Sequence, residues 1–280
     1  MRAQSLSTVV LVVLLGGLGP RDAEAGPRDF IIHVTRLGGD TASAQPYIDR
    51  FLRYLEAQAS WPSGSTKGTF LRTRDDVVAA MAKDAPGVAI LEPQVYLELR
   101  GPRKLEPFLQ LESASLVSPK LHLVTKNTAY RAIGDLRGKS LWTILGESPP
   151  YLSKIVFDGQ IDAGTHFKIK RTFDALKGVR GVLRGDCDAT LLDDDQIAAA
   201  QKIDGGSALR TIYTSPALPS IPVVAVGAAL PAADRATLVR VLSSMCGTKQ
   251  GGEICREMHI DRFVPPDTAA LNAVQSRYGQ

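Results

Sequence analysis

Short apolar runs and amphipathic stripes alternate along most of this chain. The run Phe30–Val34 predicts a strand, and apolar residues recurring at helical spacing from Tyr47 to Leu55 predict a helix that buries one face. A loop with Gly38 and Gly39 lies between them. Strand, loop and helix in this order form one unit of an α/β protein.

The same alternation continues to the C-terminus. Further strands are predicted at Lys67–Leu71, Val88–Leu91, Leu141–Leu145, Phe167–Ile169, Ala189–Leu192, Leu209–Thr214 and Val223–Val226. The segment Leu105–Val124 is predicted to be extended. Helices are predicted at Val95–Leu99, Tyr151–Ile155 and Leu176–Leu183. Another helix is predicted to begin at a cap formed by Asp75, and one more to begin at Asp195. The chain after Val226 is predicted to be helical, and Asp267 would cap its last helix. Alternating strands and helices predict parallel strand pairing with helices on the sheet faces.

The N-terminus has the pattern of a secretory signal peptide. Arg2 supplies a positive charge, Val9–Leu15 form a short apolar run, and Ala23-Glu24-Ala25 places small residues where signal peptidase cleaves. Spanning a membrane takes about 20 apolar residues, so this run is too short to act as an anchor. With no cysteine near the cleavage site to carry a lipid, we expect residues 1–25 to be removed and the mature chain to be exported, soluble and periplasmic.

Composition and net charge reduce the number of possible functions further. The 280 residues are 44% hydrophobic and 22% charged, as in ordinary globular proteins, and the net charge is only +4. The short basic cluster Lys168, Lys170 and Arg171 is interpreted as a solvated face, and no nucleic-acid partner is expected. Four histidines without metal-ligand spacing predict neither a metal site nor a cofactor.

The chain has three cysteines and no CxxC spacing, which argues against a redox or zinc motif. Export permits a disulfide. Cys246 and Cys255 are close in sequence with three glycines between them, so we expect these two to be bridged. Cys187 is then a free, buried thiol, and its acidic neighbours would raise its pKa.

Six stretches together resemble a known family. They are PYIDRFLRYLEAQ (46–58), DDVVAAMAKDAPGVAILEPQVYLEL (75–99), DLRGKSLW (135–142), LRGDCDATLLDDDQI (183–197), IPVVAVGAALPAADRATLVRVL (221–242) and MHIDRFVPPD (258–267). Each alone is a generic α/β pattern, but their order and spacing resemble a type 2 periplasmic substrate-binding protein. Within that group the chain is similar to the phosphate/phosphonate-binding family of ABC importers.

The resemblance implies a two-lobed fold in which each lobe is a mixed sheet flanked by helices. Lobe 1 would comprise residues 26–120 and 216–280, and lobe 2 residues 121–215. Two crossing strands near Leu121–Lys126 and Thr211–Ile221 would form the hinge. A small-molecule ligand would bind between the lobes and favour their closure, which an ABC permease in the inner membrane would detect. We expect a monomer.

Candidate ligand contacts are polar or aromatic residues directly after predicted strands. The candidates are Thr35, Tyr47, Glu92, Tyr96, Ser148 and Tyr151. Tyr47 could equally be a core aromatic, and Glu92 a solvated loop carboxylate. Asp193 and Asp194 follow the run Ala189–Leu192, where one carboxylate would cap the next helix and another could face the cleft.

One loop departs from the family pattern. Anion-binding members carry a loop rich in glycine and hydroxyl residues after the strand that DL-GK introduces, whereas this chain has Gly146-Glu147-Ser148-Pro149-Pro150. The prolines lack N–H donors, and a carboxylate disfavours a phosphate cradle. We therefore expect a small polar solute, such as a phosphonate-like anion, another small anion or a zwitterion, with phosphonate itself in doubt.

Three functions remain open from the sequence. The chain could bind a solute for an importer, or keep the fold as a ligand sensor or a partner-binding envelope protein. An enzyme on this scaffold is disfavoured, because the sequence has no GxSxG, P-loop, GxGxxG or HExxH motif.

Overall fold

The structure is a computed structural model that describes residues 27–37, 41–83, 86–117 and 119–279. The predicted signal peptide lies outside the described residues. Among those described, no helix has both the length and the apolar character needed to cross a membrane.

Eleven strands are formed within the described part of the chain. They are β1 Phe30–His33, β2 Gly68–Phe70, β3 Val88–Leu91, β4 Leu105–Glu112, β5 His122–Thr125, β6 Ser140–Thr143, β7 Lys168–Arg171, β8 Ala189–Leu192, β9 Arg210–Thr214, β10 Ile221–Val226 and β11 Arg262–Val264. The α-helices are α1 Thr41–Ala59, α2 Arg74–Lys83, α3 Pro93–Leu99, α4 Pro149–Tyr151, α5 Ala163–His166, α6 Ala175–Arg184, α7 Asp194–Ala200, α8 Ala232–Met245, α9 Lys249–Glu257 and α10 Thr268–Gly279.

The strands form two separate mixed sheets. The six-stranded sheet has the order β11-β4-β10-β3-β1-β2, with β1 parallel to β2 and β3, and β10 antiparallel to β3 and β4. The five-stranded sheet has the order β7-β6-β8-β5-β9, with β6 parallel to β7 and β8, and β5 antiparallel to β8 and β9. The loops that line the cleft follow the C-terminal ends of β1, β3 and β6.

The chain crosses between the sheets twice, once after β4 and once after β9. The two crossings run side by side: Ser215 N donates to Leu121 O at 2.8 Å, Leu121 N donates to Ser215 Oγ at 2.9 Å, and Leu218 N donates to Pro119 O at 2.9 Å. These contacts hold the two connections as one pair. They lie where the sequence predicts the hinge.

The C-terminal helix α10 links the two sheets on another side. Its buried residues Leu271 and Val274 belong to one apolar cluster with Leu152 and Ile155, which follow α4 in a π-helical turn. Lys154 Nζ also donates to the carbonyl of Tyr278 at 2.8 Å. The helix therefore couples the loop after β6 to the first sheet.

Three details differ from the sequence prediction. Thr73, and not Asp75, caps α2, because its Oγ1 accepts from Asp76 N at 3.1 Å. The segment predicted as wholly helical after Val226 contains strand β11, which pairs with β4. The predicted helix at Tyr151–Ile155 is a short α4 followed by the π-helical turn Leu152–Val156, since Pro149 and Pro150 restrict how the helix can begin.

The cysteines are arranged as expected. Cys246 and Cys255 are bonded, with their Cα atoms 5.6 Å apart, and join the end of α8 to α9. Cys187 is free and buried. Burial, reinforced by the charges of Asp188 and Asp186, raises the pKa of the Cys187 thiol to about 12, so it is not a thiolate nucleophile at neutral pH.

Candidate functional site

Three neighbouring recesses lie between the two sheets and form one cleft. An inner recess of about 70 Å³ and an outer recess of about 530 Å³ share Arg36 and Ile144 in their linings. A narrow polar recess of about 10 Å³, lined by Glu92, Ser148 and Arg171, also includes Ile144. Ile144 directly follows β6 and thus marks the middle of the cleft.

Arg36 spans the cleft from one sheet to the other. It lies in a 3-10 turn directly after β1, and its guanidinium bonds Asp193 Oδ2 of the second sheet at 2.6 Å. A second donor of the same group, Nη1, bonds the carbonyl of Ser115 at 3.2 Å. Thr35 is a candidate from the sequence and Arg36 is not, although the position directly after a strand indicates both.

Glu92 and Thr35 are brought together as the sequence suggested, but they bond each other. Glu92 follows β3 and is only 8% exposed. Its Oε1 accepts from Thr35 N at 2.7 Å and from Thr35 Oγ1 at 2.5 Å, and its Oε2 accepts from Gln94 Nε2. The carboxylate therefore holds the turn that carries Arg36, and its capacity to accept from a ligand is largely used.

The loop after β6 is held by ion pairing instead of forming a cradle of free donors. Glu147 Oε1 bonds Arg171 Nη1 at 2.5 Å, and Glu147 also accepts from Arg74 N of the first sheet's side at 3.3 Å. Ser148 N donates to Leu145 O at 3.1 Å. A Cβ on Gly146 would lie 2.7 Å from Arg171 Cα, so glycine is required for this close approach.

Two arginines that sequence analysis missed complete the polar recess. Arg171, at the end of β7, also donates to the carbonyl of Arg72 across the cleft at 3.0 Å. Arg74 pairs with Glu98 and Asp75, and these hydrogen bonds raise the pKa of its guanidinium. The sequence predicts a solvated basic face for Arg171, but its side chain is only 16% exposed. Its partner Glu147 is 24 residues away in sequence, so no local pattern could reveal the pair.

The three candidate tyrosines have different positions. Tyr151 is buried and lines the inner recess, where burial, together with the charge of Glu92, raises the pKa of its phenol. Tyr96 is buried on the far side of α3 and accepts from Gln275 Nε2 at 2.7 Å. Tyr47 is 46% exposed on α1, beside Arg50. Tyr96 and Tyr47 line none of the three recesses, because their helices turn them away.

The two candidate aspartates bond different partners. Asp193 caps α7 by accepting from Gln196 N at 2.7 Å, which is the capping role predicted from the sequence, and its other oxygen bonds Arg36. Asp194 bonds His122 Nε2 at 3.0 Å. Asp193, Asp194 and Asp195 all line a different recess of about 570 Å³ near the hinge, together with Glu112 and Asp261. Among the described residues, no group of three or more acidic, histidine or cysteine side chains is arranged to hold a metal.

Comparisons with known proteins identify the fold. The family described as "ABC transporter, phosphonate, periplasmic substrate-binding protein" matches residues 42–271. A binding-protein component of an ABC phosphonate transporter from Pseudomonas aeruginosa is 15% identical with a TM-score of 0.65, covering 91% of this chain and 86% of its own. A Prochlorococcus marinus protein solved with methylphosphonate is 13% identical with a TM-score of 0.62, covering 90% and 97%.

A third similar structure is a Xanthomonas citri protein solved with ATP. It is 11% identical with a TM-score of 0.69, and the alignment covers 90% of this chain and 96% of that one. Comparison with curated protein sequences gives no match. At these identities the solved structures establish the type 2 periplasmic-binding-protein fold, and the match over residues 42–271 establishes the family. The chain belongs to the family of periplasmic substrate-binding proteins of phosphonate ABC transporters.

Proposed function

We propose that this chain is an exported, monomeric solute-binding protein that captures a small molecule in the cleft and delivers it to an ABC permease of the inner membrane. It acts by binding, without chemical turnover. Its signal peptide is residues 1–25, lobe 1 is residues 26–120 and 216–280, and lobe 2 is residues 121–215. The proposed ligand contacts are Thr35, Glu92, Ser148 and Tyr151, joined by Arg36, which Asp193 holds from the second sheet.

One observation carries this proposal: the walls of the cleft come from both sheets. Arg36 and Glu92 belong to the first sheet, and Ile144 and Tyr151 to the second, yet they line the same recess. A solute in contact with both walls would favour the closed arrangement of the lobes, because it gains contacts there that the open arrangement lacks. Paired crossings at Leu121 and Ser215 are suited to serve as the hinge for that motion.

A thermal-shift screen of the mature chain tests the proposal. We expect at least one compound from a panel of small anions, amines, amides and sugars to raise the melting temperature, since a ligand that binds only the folded state stabilises it by mass action. At a concentration 100 times its Kd, the gain is about 2.7 kcal/mol. The compound should be recovered chemically unchanged.

A matched pair of variants locates the binding. Ile144→Asp, in the cleft, should abolish the shift, whereas Asp204→Ala, a surface change outside the recesses, should leave it intact. No shift from any compound of the panel would contradict solute capture and favour the alternative of a partner-binding envelope protein.

A further inference from the structure

We infer that the cleft takes an uncharged small molecule with an apolar body and a hydrogen-bond acceptor group, bound in the outer recess beside Arg36. This inference rests on the proposed function and names the solute class for the same cleft. It departs from the polar, anion-like solute expected from the sequence. Four features of the cleft support it.

The loop after β6 offers an anion few backbone donors. Ser148 N already donates to Leu145 O at 3.1 Å, and Pro149 and Pro150 have no N–H group. Leu152 N, one turn further on, donates to Ser148 O at 3.1 Å. A phosphonate carries three oxygens that need donors in a desolvated site. The two bonded N–H groups and the two prolines leave this helix start with fewer donors for those oxygens.

Arg36, Arg171 and Glu92 of the cleft already have partners within the protein. Arg36 bonds Asp193, Arg171 bonds Glu147, and Glu92 is satisfied by Thr35 and Gln94. An anion at Arg36 or Arg171 would bring a second negative charge to a guanidinium that a carboxylate already neutralises, and the two negative charges would repel each other. An uncharged ligand requires no such displacement.

The outer recess has apolar walls and the size of a small-molecule site. Eight of its lining residues are apolar, among them Ile144, Phe173, Leu176, Val179 and Ile203. Its volume of about 530 Å³ lies within the range of roughly 300–1,000 Å³ typical of ligand pockets. Phe173, at 60% exposed, is one of two large hydrophobic side chains left open to solvent among the described residues. A ligand in the recess would cover it.

Arg36 and Gln196 offer donors in the outer recess, whose lining also includes the carboxylate of Asp174, an acceptor that takes a bond from Leu176 N at 2.8 Å. Two nitrogens of Arg36 bond Asp193 and Ser115, and a guanidinium has five N–H groups, so some remain for a ligand. The side chain of Gln196 also lines the recess, and its Oε1 accepts from Asp193 N, which leaves the amide NH₂ as a donor. Both favour a carbonyl or ether oxygen on the bound molecule.

Calorimetry on the mature chain tests this assignment with a series of ligands that share one alkyl chain and differ in their head group. Hexanamide, hexanoate and hexylphosphonate share one alkyl length and differ in charge. We expect hexanamide to bind at least 10-fold tighter than hexylphosphonate. Between butanamide and hexanamide, affinity should rise by up to about fourfold for each added methylene, the limit for full burial of a CH₂ group.

Two leucines of α6 provide a matched pair of variants. Leu176→Ser, in the wall of the recess, should weaken hexanamide binding severalfold, and Leu183→Ser, at the far end of the same helix, should leave it unchanged. Circular dichroism melting establishes that each variant is folded. If Leu176→Ser does not fold, Phe173→Ala makes the same test at an exposed position.

Three outcomes would overturn the inference. In the first, hexylphosphonate or methylphosphonate binds more tightly than hexanamide. In the second, the affinity does not change with chain length. In the third, no compound of this series binds while another solute of the thermal-shift panel does. Each of these leaves the proposed function standing. Failure of every solute in both experiments would contradict the proposed function as well.

Discussion

Replacing Glu92 by alanine is expected to lower the free energy of unfolding by about 2–4 kcal/mol, because buried donors would lose their acceptor. The backbone N–H and hydroxyl of Thr35 and the amide of Gln94 all donate to this carboxylate. Leaving one buried donor unsatisfied costs about 1–3 kcal/mol, and water entering from the cleft would offset part of the sum. Urea denaturation at neutral pH measures the loss.

Two controls separate this effect from simple loss of charge. Glu92→Gln keeps an acceptor oxygen toward Thr35 and should cost less than Glu92→Ala. Glu98→Ala removes a carboxylate from the partly exposed pair with Arg74, and pairs of that kind contribute roughly 0–1 kcal/mol. If Glu92→Ala unfolds at the same urea concentration as the unaltered protein, Glu92 does not hold the Arg36 turn.

Phe157→Ala is expected to destabilise the protein by about 3–5 kcal/mol, the usual cost of emptying a buried phenylalanine site. Phe157 ends the π-helical turn after α4 and is fully buried. Its ring centroid lies 5.5 Å from that of Phe167 and 5.6 Å from that of Tyr213. Because these neighbours belong to separate elements, they cannot easily close the cavity.

Guanidinium denaturation with two other phenylalanine variants checks this value. Phe157→Leu keeps most of the volume and should cost less than about 1.5 kcal/mol. Phe173→Ala, at the exposed rim of the outer recess, should change stability by no more than about 0.5 kcal/mol. Equal losses at Phe157 and Phe173 would show that the aromatic cluster after α4 does not anchor the cleft loop.

The periodic segments could be predicted from the sequence because each element buries a continuous face. The apolar run at β3 and the helical stripe of α1 led directly to the correct elements. Strand β11 was missed because its three residues, Arg262–Val264, are too few to show a period and are held by pairing with β4. Long-range pairing of that kind leaves no local pattern.

The position of the candidate site could be predicted from the sequence better than the interactions of its residues. Thr35, Glu92, Ser148 and Tyr151 line the recesses because a loop directly after a strand faces the same edge of the sheet whichever residues it carries. Tyr96 fitted that rule equally well but faces the core, since the phase of a short helix is set by tertiary packing.

The charge pairs of the cleft could not be predicted. Arg36 bonds a carboxylate 157 residues away, and Glu147 is neutralised by Arg171. In the sequence, Glu147 is an isolated charge in a loop where an anion cradle is expected. In the structure this charge forms an ion pair within the protein. The ion pair changes which solute is expected more than it changes the expected fold.

Hydrogen exchange with the tightest-binding solute of the screen tests most directly whether the cleft between the two sheets is the binding site. We predict slower exchange, on adding the solute, in segments of both sheets together: Thr35–Arg36 after β1, Ile144–Ser148 after β6 and Phe173–Val179 at the start of α6. Slower exchange confined to one sheet, or located only in surface segments such as α1, would contradict the account.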